Sequence, residues 1–254
     1  MKRIILLVGV LISILAIQTL LAQETGVITY EVKVNLHRNI PKEREGMKAM
    51  VPEFRTNKQQ LFYNTSESLY KPLIEDEEAD MVAQGGGHGP GGGGGMVMRF
   101  QQPNEEIYFN PGETKAISSR EFNGKQYLIT DSLRVAPWKF GEETKTIQGY
   151  ECKMAYYTDE SRPDRKLEIT AWYTDKLRPF LGPERFHSLP GTVLAVDINN
   201  GERVIVAKTF DFKVLKKNEL KVPVKGEPIS QSAFRKMMDE QMRTRQQGGM
   251  IIRN

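Results

Sequence analysis

Cysteine is nearly missing from this chain: Cys152 is the single one among 254 residues. A lone thiol has no partner for an intramolecular disulfide, so a disulfide framework cannot hold the fold, and a free cysteine of this kind is most simply a small buried apolar residue. Histidine is scarce too, with only His37, His88 and His187, and no H-E-x-x-H, G-x-S-x-G or C-x-x-C pattern occurs. Charge of one sign is never concentrated into a long basic block. Lys and Arg total 36 against 32 Asp and Glu, and their interspersion lacks the footprint of a nucleic-acid binder. After the first two dozen residues no long apolar run remains, so no later segment is expected to span a membrane as a helix.

The one apolar run that does exist lies at the start. Lys2 and Arg3 precede an apolar stretch from Ile4 to Ile17, interrupted by Gly9 and Ser13, and small Ala22 stands before Gln23. That order of positive, apolar and small residues is expected of a secretory signal peptide over residues 1–22, cleaved after Ala22. The run is shorter than the roughly 18–20 residues a spanning helix needs, and no cysteine near the cut offers a lipid anchor. The destination expected is the periplasm or the outside of the cell. Loss of Lys2 and Arg3 leaves 34 basic against 32 acidic side chains, which weakens any case for a polyanionic partner.

Strand signals fill most of the mature chain. Ile28, Tyr30, Val32, Val34 and Leu36 alternate with Thr29, Glu31, Lys33 and Asn35, the period-two pattern of a half-buried strand. Shorter runs occur at 60–64, 106–109 and 127–130, the last entered from Asn123-Gly124, a strong hairpin signal. Further on, Tyr150, Cys152, Met154 and Tyr156 are expected to share one face. So are Leu167, Ile169, Ala171 and Tyr173, and so are Val204, Val206, Phe210, Phe212 and Val214. Tight turns at Gln148-Gly149 and Asn199-Asn200-Gly201 join them. The pattern predicts a mainly β fold, a single antiparallel meander sheet, strongly curved or a partial barrel.

Two segments depart from it. From about 75 to 98 an acidic run leads into a glycine-dominated stretch, Gly85 to Gly95, expected to be a mobile loop; it ends at Met96-Val97-Met98-Arg99 without the Gly-Lys-Ser/Thr of a P-loop. From 228 to 254 a short C-terminal helix and tail are expected, capped by Ser230 or Ser232, with Phe234, Met237, Met238 and Met242 on its apolar face. Residues 23–227 would form the β domain.

One stretch carries a specific resemblance. Ala171-Trp172-Tyr173-Thr174 is followed by Leu181-Gly182-Pro183-Glu184-Arg185-Phe186-His187-Ser188-Leu189-Pro190-Gly191-Thr192-Val193. Upstream stands Ile147-Gln148-Gly149-Tyr150-Glu151-Cys152-Lys153-Met154-Ala155, and Gly26 to Glu31 opens the mature chain. These elements resemble the GLPGLI family of exported Bacteroidetes proteins, over residues 26 to 211 and most densely from 147 to 198. The tag departs from the family's: Ser188, Thr192 and Val193 replace its first Gly, second Leu and Ile, and Leu189-Pro190-Gly191 survives. The family has no assigned activity, and its members' frequent encoding beside outer-membrane receptor-like proteins implies an envelope partner of that kind. Physically, Gly182, Pro183, Leu189, Pro190 and Gly191 read as structural turn residues, Pro190-Gly191 suiting the centre of a type II turn with Gly191 at positive φ, and Leu189 dropping into the core.

Function is expected to be that of an exported, non-catalytic envelope module with no cofactor, binding a protein partner or an apolar ligand on its sheet. The alternative is a copper-binding protein using Met96, Met98 and His88, since thioether and imidazole suit Cu(I). A hydrolytic set of Ser188, His187 and Asp197 is disfavoured, because neighbours on a strand point to opposite faces.

Overall fold

Alternating apolar residues build a single twelve-stranded sheet in the computed structural model, which describes residues 24–74, 104–113, 115–132, 135–162 and 165–248. The expected signal segment 1–22, the glycine-rich stretch and Met96, Met98 and His88 lie outside the described residues. The strands are β1 (Gly26–Asn35), β2 (Phe54–Tyr63), β3 (Ser68–Pro72), β4 (Glu105–Asn110), β5 (Lys115–Phe122), β6 (Lys125–Ser132), β7 (Lys139–Ile147), β8 (Tyr150–Arg162), β9 (Arg165–Thr174), β10 (Thr192–Ile198), β11 (Arg203–Phe212) and β12 (Glu227–Ser230). Their spatial order is β12-β6-β5-β4-β3-β2-β1-β11-β10-β9-β8-β7, open at both ends. One helix, α1 (Gln231–Gly248), comes after β12; Ser230 Oγ caps it by accepting the Ala233 N–H at 3.2 Å. At 18 residues it is longer than the short helix expected. Among the described residues no helix is long and apolar enough to cross a membrane.

The sheet is mixed, not purely antiparallel as the meander pattern suggested. Every strand-to-strand pairing is antiparallel except β12 with β6, where Glu227–Ser230 run parallel to Tyr127–Thr130, and an isolated bridge from Leu181 to Thr192 is also parallel. Hairpins necessarily return antiparallel, and the tight turns do so: Asn123 and Gly124 (φ 53° and 75°) join β5 to β6, and Gln148 and Gly149 (49° and 82°) join β7 to β8. β12 arrives differently. Residues 213–226 form a strap from the end of β11 to the far edge, and the direction of arrival fixes the pairing. Along the way Leu215 and Leu220 pack on Val27, Phe62, Leu69 and Tyr108. Ser119 Oγ donates to the Lys225 carbonyl (3.2 Å) and Lys71 Nζ to that of Glu219 (3.4 Å).

The opposite face, here the core face, carries the main core. Ile28, Tyr30 and Val32 of β1 continue through Leu61 and Tyr63 of β2, Ile205 and Ala207 of β11, Val196 of β10 and Ala171 of β9. The β1 and β9 faces are those the alternation predicts. Burial in β8 and β11 departs from it, in β11 because a bulge changes the phase. In β8 the burial passes from Cys152 to Ala155 and Tyr157, where β7 has an irregularity between Phe140 and Thr144, and Tyr156 faces solvent. In β11 Ile205 and Ala207 point inward, the register shifts opposite Thr29/Tyr30, and only then do Phe210 and Phe212 join the core. Val214 lies beyond the strand, exposed.

The β9–β10 connection, residues 175–191, folds onto the core face. Leu177, Leu181, Phe186 and Leu189 are buried in the main core, each full burial contributing about 2 kcal/mol. Backbone bonds hold it: Phe180 N–H donates to the Leu189 carbonyl (3.1 Å) and Val193 N–H to that of Leu181 (2.8 Å). Arg178 Nη1 donates to the carbonyls of Asn64 and Glu67 in the β2–β3 turn. The type II expectation at Pro190-Gly191 does not hold, since Gly191 is not among the positive-φ residues. Glycine is needed there for a different reason: a Cβ would lie 2.2 Å from the Thr174 carbonyl oxygen and 2.7 Å from its carbon. Gly182 is similarly pressed, 2.1 Å from the Phe186 oxygen.

Gly191→Ala should therefore lower stability by about 2 kcal/mol or more. Gly46→Ala, where nothing lies within 4 Å of the new carbon, should change it by less than about 0.5 kcal/mol. Urea unfolding of both variants measures the contrast, and equal effects would reject the close-approach account.

Candidate functional site

Strand β2 holds the clearest local anomaly. Its core-facing positions read Arg55, Asn57, Gln59, Leu61, Tyr63: the inner phase is polar for half its length and apolar for the rest. Register places Arg55 across Val34 from Arg203, with Val34 pairing to both, and Asn57 across Val32 from Ile205. Tyr70 of β3 and Ile107 of β4 continue the same face. These residues floor a cleft of about 270 Å³. Glu184 of the 175–191 loop stands on one side; on the other, Glu105 pairs with Arg120, over which the Phe234 ring of α1 lies at 5.9 Å.

The cleft is charged. Glu184, at φ 52°, grips Arg203 with both carboxylate oxygens, one bond being 2.9 Å. Burial pulls the Arg203 pKa down, but the Glu184 carboxylate outweighs it and the net direction is upward. Glu105 is bound by Arg120, yet burial, the larger influence, raises its carboxyl above the ordinary range, with Glu184 adding repulsion. Burial and then the neighbouring Arg203 lower the pKa of Arg55. Burial, with Glu184 next, raises Tyr70 far enough that its hydroxyl keeps its proton.

Three buried side-chain atoms in this cleft find no hydrogen-bond partner: Arg55 Nε, Asn57 Oδ1 and Tyr70 Oη. An unsatisfied buried polar group costs about 1–3 kcal/mol, so three in one place mark a site where something other than stability is served. All three belong to residues that line the cleft. Chemically the arrangement offers two ionised pairs, one further guanidinium, two amides and a phenol, which is a set for gripping a polar molecule.

The residues singled out by sequence lie elsewhere. Leu189, Pro190, Gly191, Gly182 and Pro183 lie in the β9–β10 loop that presents Glu184. His187 and Ser188 are not brought together: the His187 ring stacks on Phe109 (3.6 Å between centroids), and Ser188 Oγ accepts from Trp138 Nε1 at 2.9 Å. Asp197 accepts the Gly201 N–H (2.6 Å). Cys152 is fully buried, and burial pushes its thiol up to about 11, the state of an inert core residue. Met237 and Met238 pack about Phe234, Tyr127 and Ile129.

No family model and no curated protein matches the chain. Its fold is similar to two solved structures of PNGF-II, in the P21 and C2 space groups, with TM-scores of 0.54 and 0.53 at 19% and 20% identity. Each comparison covers 84% of this chain but 33% and 32% of the other, so the chain spans about a third of those proteins' length. At that identity the likeness speaks for the fold alone.

The physics of the site leads to two expected outcomes. Tyr70→Phe removes an unpartnered hydroxyl and should stabilise the protein by about 1 kcal/mol; a loss of stability in urea unfolding would mean that the hydroxyl is paired. Burial also pushes His187 down to about 4. The folded state thus refuses a proton that the unfolded chain accepts below about 6.5, and His187 subtracts up to roughly 3 kcal/mol as pH falls from about 6.5 to about 4. His187→Phe, which keeps an aromatic ring on Phe109, should lose correspondingly less stability between pH 7 and pH 4, and equal losses would reject the assignment.

Proposed function

We propose that the protein is an exported, non-catalytic binding module of the cell envelope that holds a small polar molecule in the cleft floored by Arg55, Asn57, Gln59 and Tyr70. One observation carries the reading: three unpartnered buried polar atoms converge on one cleft. Folding alone would replace such groups with apolar ones or pair them.

The sheet is read as a curved partial barrel. β8 and β11 are separated by β9 and β10, so a flat sheet would hold them roughly 14 Å apart, whereas the Tyr150 and Phe210 rings lie 5.2 Å apart. On the apolar part of the core face the chain seats its own loop: Leu181, Phe186 and Leu189 occupy the surface that an apolar ligand would use. What stays open mixes apolar residues, Val32, Val34 and Ile107, with the polar Arg55, Asn57, Gln59 and Tyr70, and the unpartnered polar atoms of the latter favour a polar ligand over a purely apolar one. Both carboxylates in the cleft are held by arginines, and the nearest nucleophile-like set, Ser188 with His187, is apart, which supports binding over catalysis. Export rests on the signal-like segment 1–22 and on the resemblance to an exported family.

Native mass spectrometry of the chain recovered gently from envelope extracts is expected to show a bound small molecule released on unfolding. The double variant Asn57→Leu with Tyr70→Phe should remain folded and lower its occupancy about tenfold or more. Equal occupancy in the variant would reject the cleft as the site.

A further inference from the structure

Charge accounting within the cleft narrows the ligand. Its walls and their partners bring three guanidiniums, Arg55, Arg120 and Arg203, and two carboxylates, Glu105 and Glu184. Arg120 is committed to Glu105 and Arg203 to Glu184. Arg55 has no carboxylate partner among the described residues, and its Nε is buried without an acceptor. A guanidinium keeps its charge at any physiological pH, and an uncompensated one in a partly dry site is costly until an anion meets it. The excess is one positive charge. A dianion would leave a negative charge unbalanced beside two carboxylates, whereas a carboxylate matches both the charge and the planar fork of the guanidinium.

The remainder of the floor fixes the rest of the molecule. Asn57 and Gln59 are 5% and 8% exposed, Tyr70 is 4% exposed, and the first and last of these carry unpartnered oxygens. Amide and phenol groups arrayed along one wall pair with hydroxyls or amides, not with hydrocarbon. A cleft of about 270 Å³ sits just under the usual range of about 300–1,000 Å³ for drug-sized ligands, so a single sugar ring or a dipeptide is the right scale.

Resting on the binding reading above, we infer that the cleft takes a small carboxylate whose anion is held by Arg55 and whose hydroxyl or amide groups are held by Asn57, Gln59 and Tyr70. Two sources share that chemistry, a sugar acid and a peptide C-terminus, and the probes separate them.

The test is calorimetric titration of the full chain at pH 7 with D-glucuronate and with N-acetyl-dialanine, against the neutral partners D-glucose and N-acetyl-dialanine amide. At least one carboxylate should bind about tenfold or more tightly than its neutral partner. Glucuronate alone binding identifies the sugar-acid source, and the acyl dipeptide alone the peptide one. Arg55→Gln should weaken that probe about tenfold or more, with Arg55→Lys retaining part of the affinity because it keeps the charge and loses the fork. Far-UV circular dichroism of both variants checks their folding, and the lysine variant carries the test if the glutamine one unfolds. Neutral and charged partners binding equally, or Arg55→Gln binding as the parent does, overturns the anion inference while the cleft reading stands. No carboxylate binding at about 10 mM overturns it as well. The cleft reading itself fails only on the separate result that the Asn57→Leu, Tyr70→Phe variant retains its native ligand.

Discussion

The close seating of the 175–191 loop against the core face is the constraint on which the other features depend. At its end, Gly191 brings the chain against the Thr174 carbonyl where no Cβ would fit. That contact lets Leu189 sink fully into the core and aligns β10 beside β9. The same loop carries Glu184 at a left-handed φ to Arg203 on β11. If the loop sat farther out, the apolar face beneath it would be open to solvent and the cleft would lose one wall. Tyr30 ties the two levels together, its buried hydroxyl donating to the Val193 carbonyl at 2.7 Å.

A second element works from the other side. The 213–226 strap covers the apolar patch around Val27, Phe62, Leu69 and Tyr108, then turns its chain into β12 and α1. The helix packs its Phe234 against Tyr127 and Phe122 on the core face. One continuous C-terminal segment therefore touches both faces of the sheet. Its arrival at the β6 edge covers a strand that would otherwise present unpaired backbone groups. The polar cleft lies between loop and helix, on the part of the core face that neither covers. Buried charges there cost desolvation, which the two arginine–carboxylate pairs offset only in part. Their concentration beside three unpartnered polar atoms, in a sheet otherwise packed with aliphatic and aromatic residues, is the local violation of packing rules that functional sites characteristically show.

Much of the fold was legible, and the failures have specific causes. The faces of β1 and β9 follow simple alternation, and the hairpins at Asn123-Gly124 and Gln148-Gly149 carry the positive φ values their residues favour. Alternation misplaced Val204 and Val206 because a bulge in β11 adds a residue without changing composition, and every side chain beyond it changes face. The cleft could have been suspected from one signal. Extending the inward phase of β2 backwards from Tyr63 and Leu61 runs into Gln59, Asn57 and Arg55, polar residues where the pattern demands apolar ones. Glu184, Arg203 and Glu105 had no such mark. They come from a loop, a bulged strand and an edge-ward strand far apart in the chain, and only pairing across the sheet makes them neighbours.

The sequence by itself determined that the chain is β-rich, where its tight turns fall, that a capped helix begins after Ser230, and that Leu189 and Cys152 belong inside. These are local matters of backbone preference and hydrophobic period, decided within a few residues. Tertiary structure alone decided that β12 runs parallel, that Gly191 of Leu189-Pro190-Gly191 serves a close approach and not a positive φ, and that a charged cleft opens beside Arg55. Each of these depends on which distant backbone or charge stands opposite, and no local pattern encodes an opposite partner.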